Sequence, residues 1–241
     1  MIISFVNQKG GVGKTTTAIN LASSLVRRNL RLVLIDADPQ GSAATWRGIE
    51  NNQAFEVLYR PDELTQGDIA ALESAYDNVL IDAPPVAVEK VEAVIRASDL
   101  VILPVTPSSL DLWSCKEILD RMSTKPEVRL NNKVRLLINR KIPGTRVGRE
   151  MRQALGTFDR PVFETELCQR VAYIDAMIYG VSVMQFAPGS KAASEIEQWS
   201  QEVVALINEE MTGEDDSDNS IAALYREETD NILFRSFQNR L

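Results

Sequence analysis

Three groups of residues in this chain have types and spacings suited to phosphate chemistry. The first is Gln8-Lys9-Gly10-Gly11-Val12-Gly13-Lys14-Thr15-Thr16-Thr17. Gly13 lets backbone approach a phosphate, Lys14 offers a cation to the β- and γ-phosphates, and Thr15 offers a hydroxyl to Mg²⁺. Gly10, Gly11, Val12 and Thr16 complete a loop whose N–H groups, with the positive end of the next helix, face an anion. The pattern G-x-x-x-x-G-K-[ST] would put its first glycine at Gln8, so the match is to a variant form; the competing reading is a Gly/Lys-rich turn without a ligand. The second group is Asp36-Ala37-Asp38-Pro39-Gln40-Gly41 and the third is Asp82, ahead of Ala83-Pro84-Pro85. Asp36 and Asp38 alternate along extended backbone and so point the same way. Asp38, nearer the open end, suits the orientation of an attacking water, and Asp36 the surroundings of the metal. Asp82 closes the apolar run Val79-Leu80-Ile81 and suits Mg²⁺, directly or through water; otherwise it caps a helix after Pro84.

These groups need strands and helices to hold them in register. Met1 to Val6 reads as a buried strand before the loop, and Ile19, Leu21, Ala22, Leu25 and Val26 recur at helical spacing after it. Further strands are expected at Arg31 to Ile35, Phe55 to Tyr59, Asn78 to Ile81, Leu100 to Val105 and Val134 to Ile138, with a short one near Pro161 to Phe163. Helices are expected near 42–50, from Pro61-Asp62 to about Ala75, and from Val88 to Ala97. Others run from a Ser108 or Ser109 cap to about Met122, near Thr145 to Leu155, and near 168–179 and 190–210. Near-continuous apolar strands alternating with helices specify an α/β fold: a mostly parallel, doubly wound sheet with helices on both faces. The acids then stand at the carboxyl ends of strands, where open parallel sheets bind ligands.

The run Lys9 to Thr16 resembles the deviant Walker A motif of the ParA/MinD superfamily of P-loop ATPases. Asp36 to Gly41 resembles its A′ motif and Val79 to Asp82 its Walker B. The three agree in order and spacing over residues 1 to about 85. Similarity continues more loosely through Pro104 to Trp113, and through Gln169-Arg170-Val171-Ala172-Tyr173 to about residue 208. With no helix-turn-helix extension ahead of the first strand, the chain is similar to the small plasmid-partition type, ParF included. It is equally similar to the ParA-like ATPases that distribute carboxysomes (McdA) or chemoreceptor clusters. The resemblance implies ATP and Mg²⁺ as cofactors and a homodimer when ATP is bound, with Lys9 crossing to the phosphates of the partner's nucleotide. It implies an adenine contact from Asn139, nonspecific DNA as a track, and a ParB-like or McdB-like adaptor that stimulates hydrolysis. Read without it, Lys9 is a solvated loop lysine and Asn139 a turn residue.

Composition narrows the classes. The chain has 241 residues, 44% apolar and 25% charged, with a net charge of −8. It has no histidine, hence no imidazole ligand or base, and turnover should be slow because no strong base faces the water. Cys115 and Cys168 lack metal-site spacing and read as buried thiols. That disfavours a nitrogenase-reductase-like redox carrier, while a dethiobiotin-synthetase-like ligase stays open. With no signal peptide and no span of about twenty apolar residues, a cytoplasmic protein is expected, and the resemblance implies nucleoid association. Between Lys133 and Arg152 the bases Lys133, Arg135, Arg140, Lys141, Arg146, Arg149 and Arg152 face one acid, Glu150. Arg146, Arg149 and Arg152 fall at one-turn steps on a helix, and Arg170 extends the patch, which suits DNA phosphates or forms a plain solvated face. Residues 1–210 read as the ATPase domain. Residues 211–241 read as an acidic, partly disordered tail in which Ile221, Leu224, Tyr225, Ile232, Leu233, Phe234 and Phe237 could line one side of a short amphipathic helix. Its seven acids against three arginines disfavour a MinD-like membrane anchor.

Overall fold

A computed structural model describes residues 1–49, 55–62, 64–85, 88–123 and 134–212. The tail beyond 212 and Lys133 lie outside the described residues. The chain alternates strand and helix: β1 (Ile2–Phe5), α1 (Lys14–Arg27), β2 (Leu32–Asp36), α2 (Ser42–Ile49), β3 (Glu56–Tyr59), α3 (Gln66–Ala75), β4 (Asn78–Asp82) and α4 (Val88–Ala97). Then follow β5 (Leu100–Val105), α5 (Ser109–Ser123), β6 (Val134–Ile138), α6 (Arg146–Leu155), α7 (Val171–Ile178), α8 (Val183–Phe186) and α9 (Lys191–Thr212). The strands form a six-stranded sheet in the order β3-β2-β4-β1-β5-β6, and every pairing is parallel.

Both faces of this sheet are apolar, so its strands carry hydrophobic residues at successive positions and no alternation shows in the sequence. Ile3 and Phe5 of β1, Leu32 and Leu34 of β2 and Leu80 of β4 pack with α1 and α9 in one core. Val33, Ile35, Val79 and Ile81 point the other way, onto Ile69 of α3 and Val94 of α4. Val101, Leu103 and Val105 do the same against α5 and α6. α9 is locked by Trp199, whose ring meets Phe5 and Phe163 edge-on at centroid distances of 6.4 and 5.9 Å. Small residues bring α1 close to α9, where the Ser24 and Ser200 hydroxyls hydrogen-bond at 2.7 Å.

Three expected boundaries are corrected. α3 begins at Gln66 and not at Pro61, because Thr65 and Asp68 form a reciprocal capping box one turn later. The helix expected from 168 begins at Val171, because Cys168 extends the sheet edge as an isolated bridge to Lys141. The short strand near 161–163 is likewise a single bridge, Leu136 to Val162. α8 was not expected; at four residues it is too short for periodicity, and only the Ser182-x-x-Gln185 capping box marks it.

Candidate nucleotide site

β1 delivers its loop to the carboxyl edge of the sheet, and two glycines there adopt conformations that a side chain would oppose: Gly11 at φ 79° and Gly13 at φ 94°. A Cβ on Gly13 would also collide with Asn139 Nδ2. Gly13 caps α1, and no side chain among the described residues caps this helix end. The first N–H groups of α1 therefore point unpaired into the cleft, which is the arrangement that binds an anion.

Lys14 is buried at 6% exposure beneath this end, and its amine donates to the carbonyls of Asn7 and Lys9 at 3.3 Å each. Burial pulls its pKa below the ordinary lysine value, against the attraction of Asp82 and Asp38. Such a cation stands to gain from a phosphate. The Thr15 hydroxyl donates to Asp82 Oδ2 at 2.6 Å. Asp82 is fully buried, and its other oxygen, Oδ1, has no partner among the described residues. Burial raises its pKa to about 7, opposed by the Thr15 hydrogen bond and Lys14, with Asp36 and Asp38 adding to the rise. A hydroxyl beside a buried carboxylate with an orphaned oxygen fits a hard divalent cation with oxygen ligands such as Mg²⁺.

Asp36 is the register neighbour of Asp82 across β2 and β4, and its carboxylate is held by backbone. Its Oδ1 accepts from Asp38 N at 3.2 Å and its Oδ2 from Ala44 N at 2.8 Å. The carboxylate thus caps α2 and pins the loop between, each of its oxygens accepting from one backbone N–H. Burial nevertheless raises its pKa, with these hydrogen bonds opposing. Asp38, less buried, accepts from Gln40 N at 2.9 Å and faces the cleft.

The cleft has a volume of about 520 Å³ and runs from Gly10–Thr17 past Asp38 to Asn139 and the segment Leu167–Arg170. Asn139, at the end of β6, donates to Val12 O at 2.7 Å and so braces the loop while lining the cleft. Arg140, exposed and also lining the cleft, donates to Gly11 O at 2.7 Å. Two acids of α9 hold the opposite wall. Glu195 accepts from Cys168 N and from Arg170 Nε, each at 3.1 Å. Glu202 accepts from the backbone N–H of Glu164 and Thr165 at 2.8 Å. This wall was missed in the sequence, because nothing local marks Glu195 and Glu202 as its supports. Cys115 is buried as expected, but Cys168 is only half-buried at the cleft edge.

Lys9 is partly exposed and paired. Its amine makes an ion pair of 2.6 Å with Asp111 Oδ1 on α5, and its own N–H donates to Asn7 Oδ1 at 3.0 Å. Asn7 in turn donates to Pro104 O at 2.8 Å, tying the loop to β5. Asp111 was invisible in the sequence because Ser108-x-x-Asp111 reads as helix capping. Ser108 does cap α5, accepting from Asp111 N at 3.1 Å, but the Asp111 carboxylate turns to Lys9 and to the Thr106 hydroxyl.

The basic stretch loses its excess in space. Lys141 and Arg152 share Glu166, Arg170 pairs with Glu195, and Arg146 pairs with Glu150. Arg135 lies half-buried in β6. Arg140 and Arg149 have no carboxylate partner among the described residues, and Arg149 donates to Gly144 O at 2.8 Å. The acids that pair with Lys141, Arg152 and Arg170 come from residues 164–195, while Glu150 pairs with Arg146 within the stretch itself. Among the described residues no helix is long and apolar enough to cross a membrane.

Comparison with known proteins agrees with this architecture. The pattern of the CobQ/CobB/MinD/ParA nucleotide binding domain matches residues 3–183. The chain is 31% identical over 207 residues to the maintenance of carboxysome distribution protein A of Halothiobacillus neapolitanus, covering 84% of this chain and 95% of that relative. It is 29% identical to the chromosome-partitioning ATPase Soj of Thermus thermophilus, covering 86% of this chain and 96% of that one. The septum site-determining protein MinD of Pyrococcus horikoshii, solved with Mg-ADP, superposes with a TM-score of 0.65 at 19% identity, covering 84% of this chain and 95% of that chain.

Proposed function

This chain belongs to the CobQ/CobB/MinD/ParA family of nucleotide-binding proteins, on the ParA/MinD side, and from that premise we propose that it is an ATPase that positions or partitions a cargo. It binds Mg·ATP, pairs face to face with a second copy, and rides DNA nonspecifically in that state. An adaptor of ParB or McdB type stimulates hydrolysis and releases it. The observation that carries the reading is the cluster beneath the uncapped end of α1: Lys14 buried, Thr15 on Asp82, and an unpartnered Asp82 oxygen.

Each residue has a role that its surroundings support. The loop N–H groups and Lys14 hold the β- and γ-phosphates, and Asn139 keeps the loop open to them through Val12. Thr15 and Asp82 would hold Mg²⁺, which when bound would neutralise phosphate charge. Asp38, carried on the loop that Asp36 pins, orients the water. Lys9 supplies charge to a second copy's site, so hydrolysis waits for dimerisation. The relatives named for carboxysome distribution and chromosome partitioning support cargo positioning, and Mg-ADP in the MinD structure supports the cofactors.

The test is nucleotide binding and sedimentation with ATP. Lys14→Ala is expected to abolish binding, and Asp38→Ala to bind ATP but persist as a dimer because water is no longer oriented. An Asp38→Ala protein that turns over ATP at the wild-type rate would remove the assignment.

A further inference from the structure

Asn7, Lys9, Lys14, Thr106, Ser108 and Asp111 form one connected polar unit between the loop and the start of α5. Lys9 is fixed at both its ends. Its amine pairs with Asp111 across 102 residues of sequence, its N–H is held by Asn7, and its carbonyl accepts from Lys14 at 3.3 Å. Asp111 is the less exposed partner, at 14% against 33% for Lys9, and the Thr106 hydroxyl holds its second oxygen. Burial opposes its charge, but hydrogen bonds from Lys9, Thr106 and Ser108 prevail and keep its pKa below the ordinary value. The ion pairs Lys116–Asp120 and Arg121–Glu117 on α5 and Arg146–Glu150 on α6, by contrast, are local pairs one helical turn apart.

We propose that Asp111 is a latch that holds Lys9 within its own subunit and sets the ATP requirement for dimerisation. This rests on the reading of Lys9 as the residue that reaches a second copy. An amine cannot serve a partner's phosphates while it is paired with Asp111, so each protomer must break one pair before the dimer closes. Lys14 couples the latch to the nucleotide. Its amine rests on the Lys9 carbonyl through a long, weak hydrogen bond, which a phosphate would outcompete and so loosen residue 9. Two latches open per dimer, so whatever one pair contributes enters the association constant squared. A partly exposed ion pair contributes about fivefold at the upper end of measured cases, which makes the expected effect on dimerisation about 25-fold.

The test compares wild type with Asp111→Asn, Lys9→Ala and the double variant, all as full chains. Dimerisation is measured by sedimentation with a nonhydrolysable ATP analogue. In the nucleotide-free protein, acylation of the Lys9 amine is measured by mass spectrometry relative to Lys191. Asp111→Asn is expected to raise the association constant about 25-fold and to speed acylation at Lys9 several-fold. In the Lys9→Ala background it should change dimerisation by less than twofold. Unchanged or weaker dimerisation of a folded Asp111→Asn protein overturns the latch, as does an equal gain in the Lys9→Ala background. Wild-type dimerisation by Lys9→Ala overturns the underlying reading of Lys9, and the latch with it, whatever the acylation shows. If Asp111→Asn fails to fold, Asp111→Ser carries the same expectations.

Discussion

Asp82 couples the site to pH through a single carboxyl. Burial, more than any neighbour, holds its pKa at about 7 against an ordinary 3.8. The folded state therefore keeps the proton more tightly than the unfolded chain does. Its contribution to stability is full below about pH 4 and disappears as pH rises through 7. Between pH 5 and pH 8 this amounts to about 2–3 kcal/mol lost from the ligand-free protein. Urea unfolding should show that loss in wild type and a markedly flatter response in Asp82→Asn, which can still accept from Thr15. Parallel pH responses of the two proteins would mean that Asp82 is not the titrating group. Magnesium should remove part of the penalty by pairing the ionised form. Lys14, Thr15 and Asp82 were all legible in the sequence, because each lies at a fixed offset from a strand end or a glycine. The contacts of Asp36 and Asp111 were not. The atoms that define them, Ala44 N and Lys9 Nζ, are brought close by the tertiary fold and not by local spacing.

At the level of elements, the strand–loop–helix order was legible because buried parallel strands and amphipathic helices leave different periodicities. What escaped was the wall of the cleft, which depends on α9. Glu195 and Glu202 stand two turns apart and grip the segment from Glu164 to Arg170 by backbone N–H groups and one guanidinium. On the sequence they read as ordinary surface acids of a helix. α9 is itself set by Trp199 between Phe5 and Phe163, so core packing and the cleft wall share one support. Glu195→Ala removes the acceptor for Cys168 N and the partner of Arg170. It should cost about 1–3 kcal/mol in thermal or urea unfolding and weaken binding of a fluorescent ATP analogue several-fold. Glu117→Ala, which removes only a surface pair on α5, should leave both unchanged. A folded Glu195→Ala protein that binds the analogue as wild type does would deny α9 any part in shaping the site.

For the whole molecule the question is how a chain of net charge −8 would hold DNA. Overall attraction is absent, so any binding must come from a local surface where phosphates meet unneutralised cations. Counting along the chain suggested a broad patch. In space, however, Glu150, Glu166 and Glu195 take up Arg146, Lys141, Arg152 and Arg170. Arg152 also donates to the carbonyls of Phe163 and Glu164, at 3.0 and 2.7 Å, and so holds the fold together. Arg140 and Arg149 have no carboxylate partner among the described residues, and they lie on either side of the turn at Gly144. Each phosphate contact contributes about 0.9 to the slope of log affinity against log salt. Nonspecific duplex binding, measured with a nonhydrolysable ATP analogue across a salt series, should therefore lose about one unit of slope in Arg149→Ala. The slope should fall again by a similar amount when Arg140→Ala is added. Arg152→Ala should instead lower the unfolding free energy by about 1–3 kcal/mol and leave the salt slope in place. An equal loss of slope from Arg149→Ala and Arg152→Ala would show that the ion pairs open on DNA, and that the wider basic stretch is the interface after all.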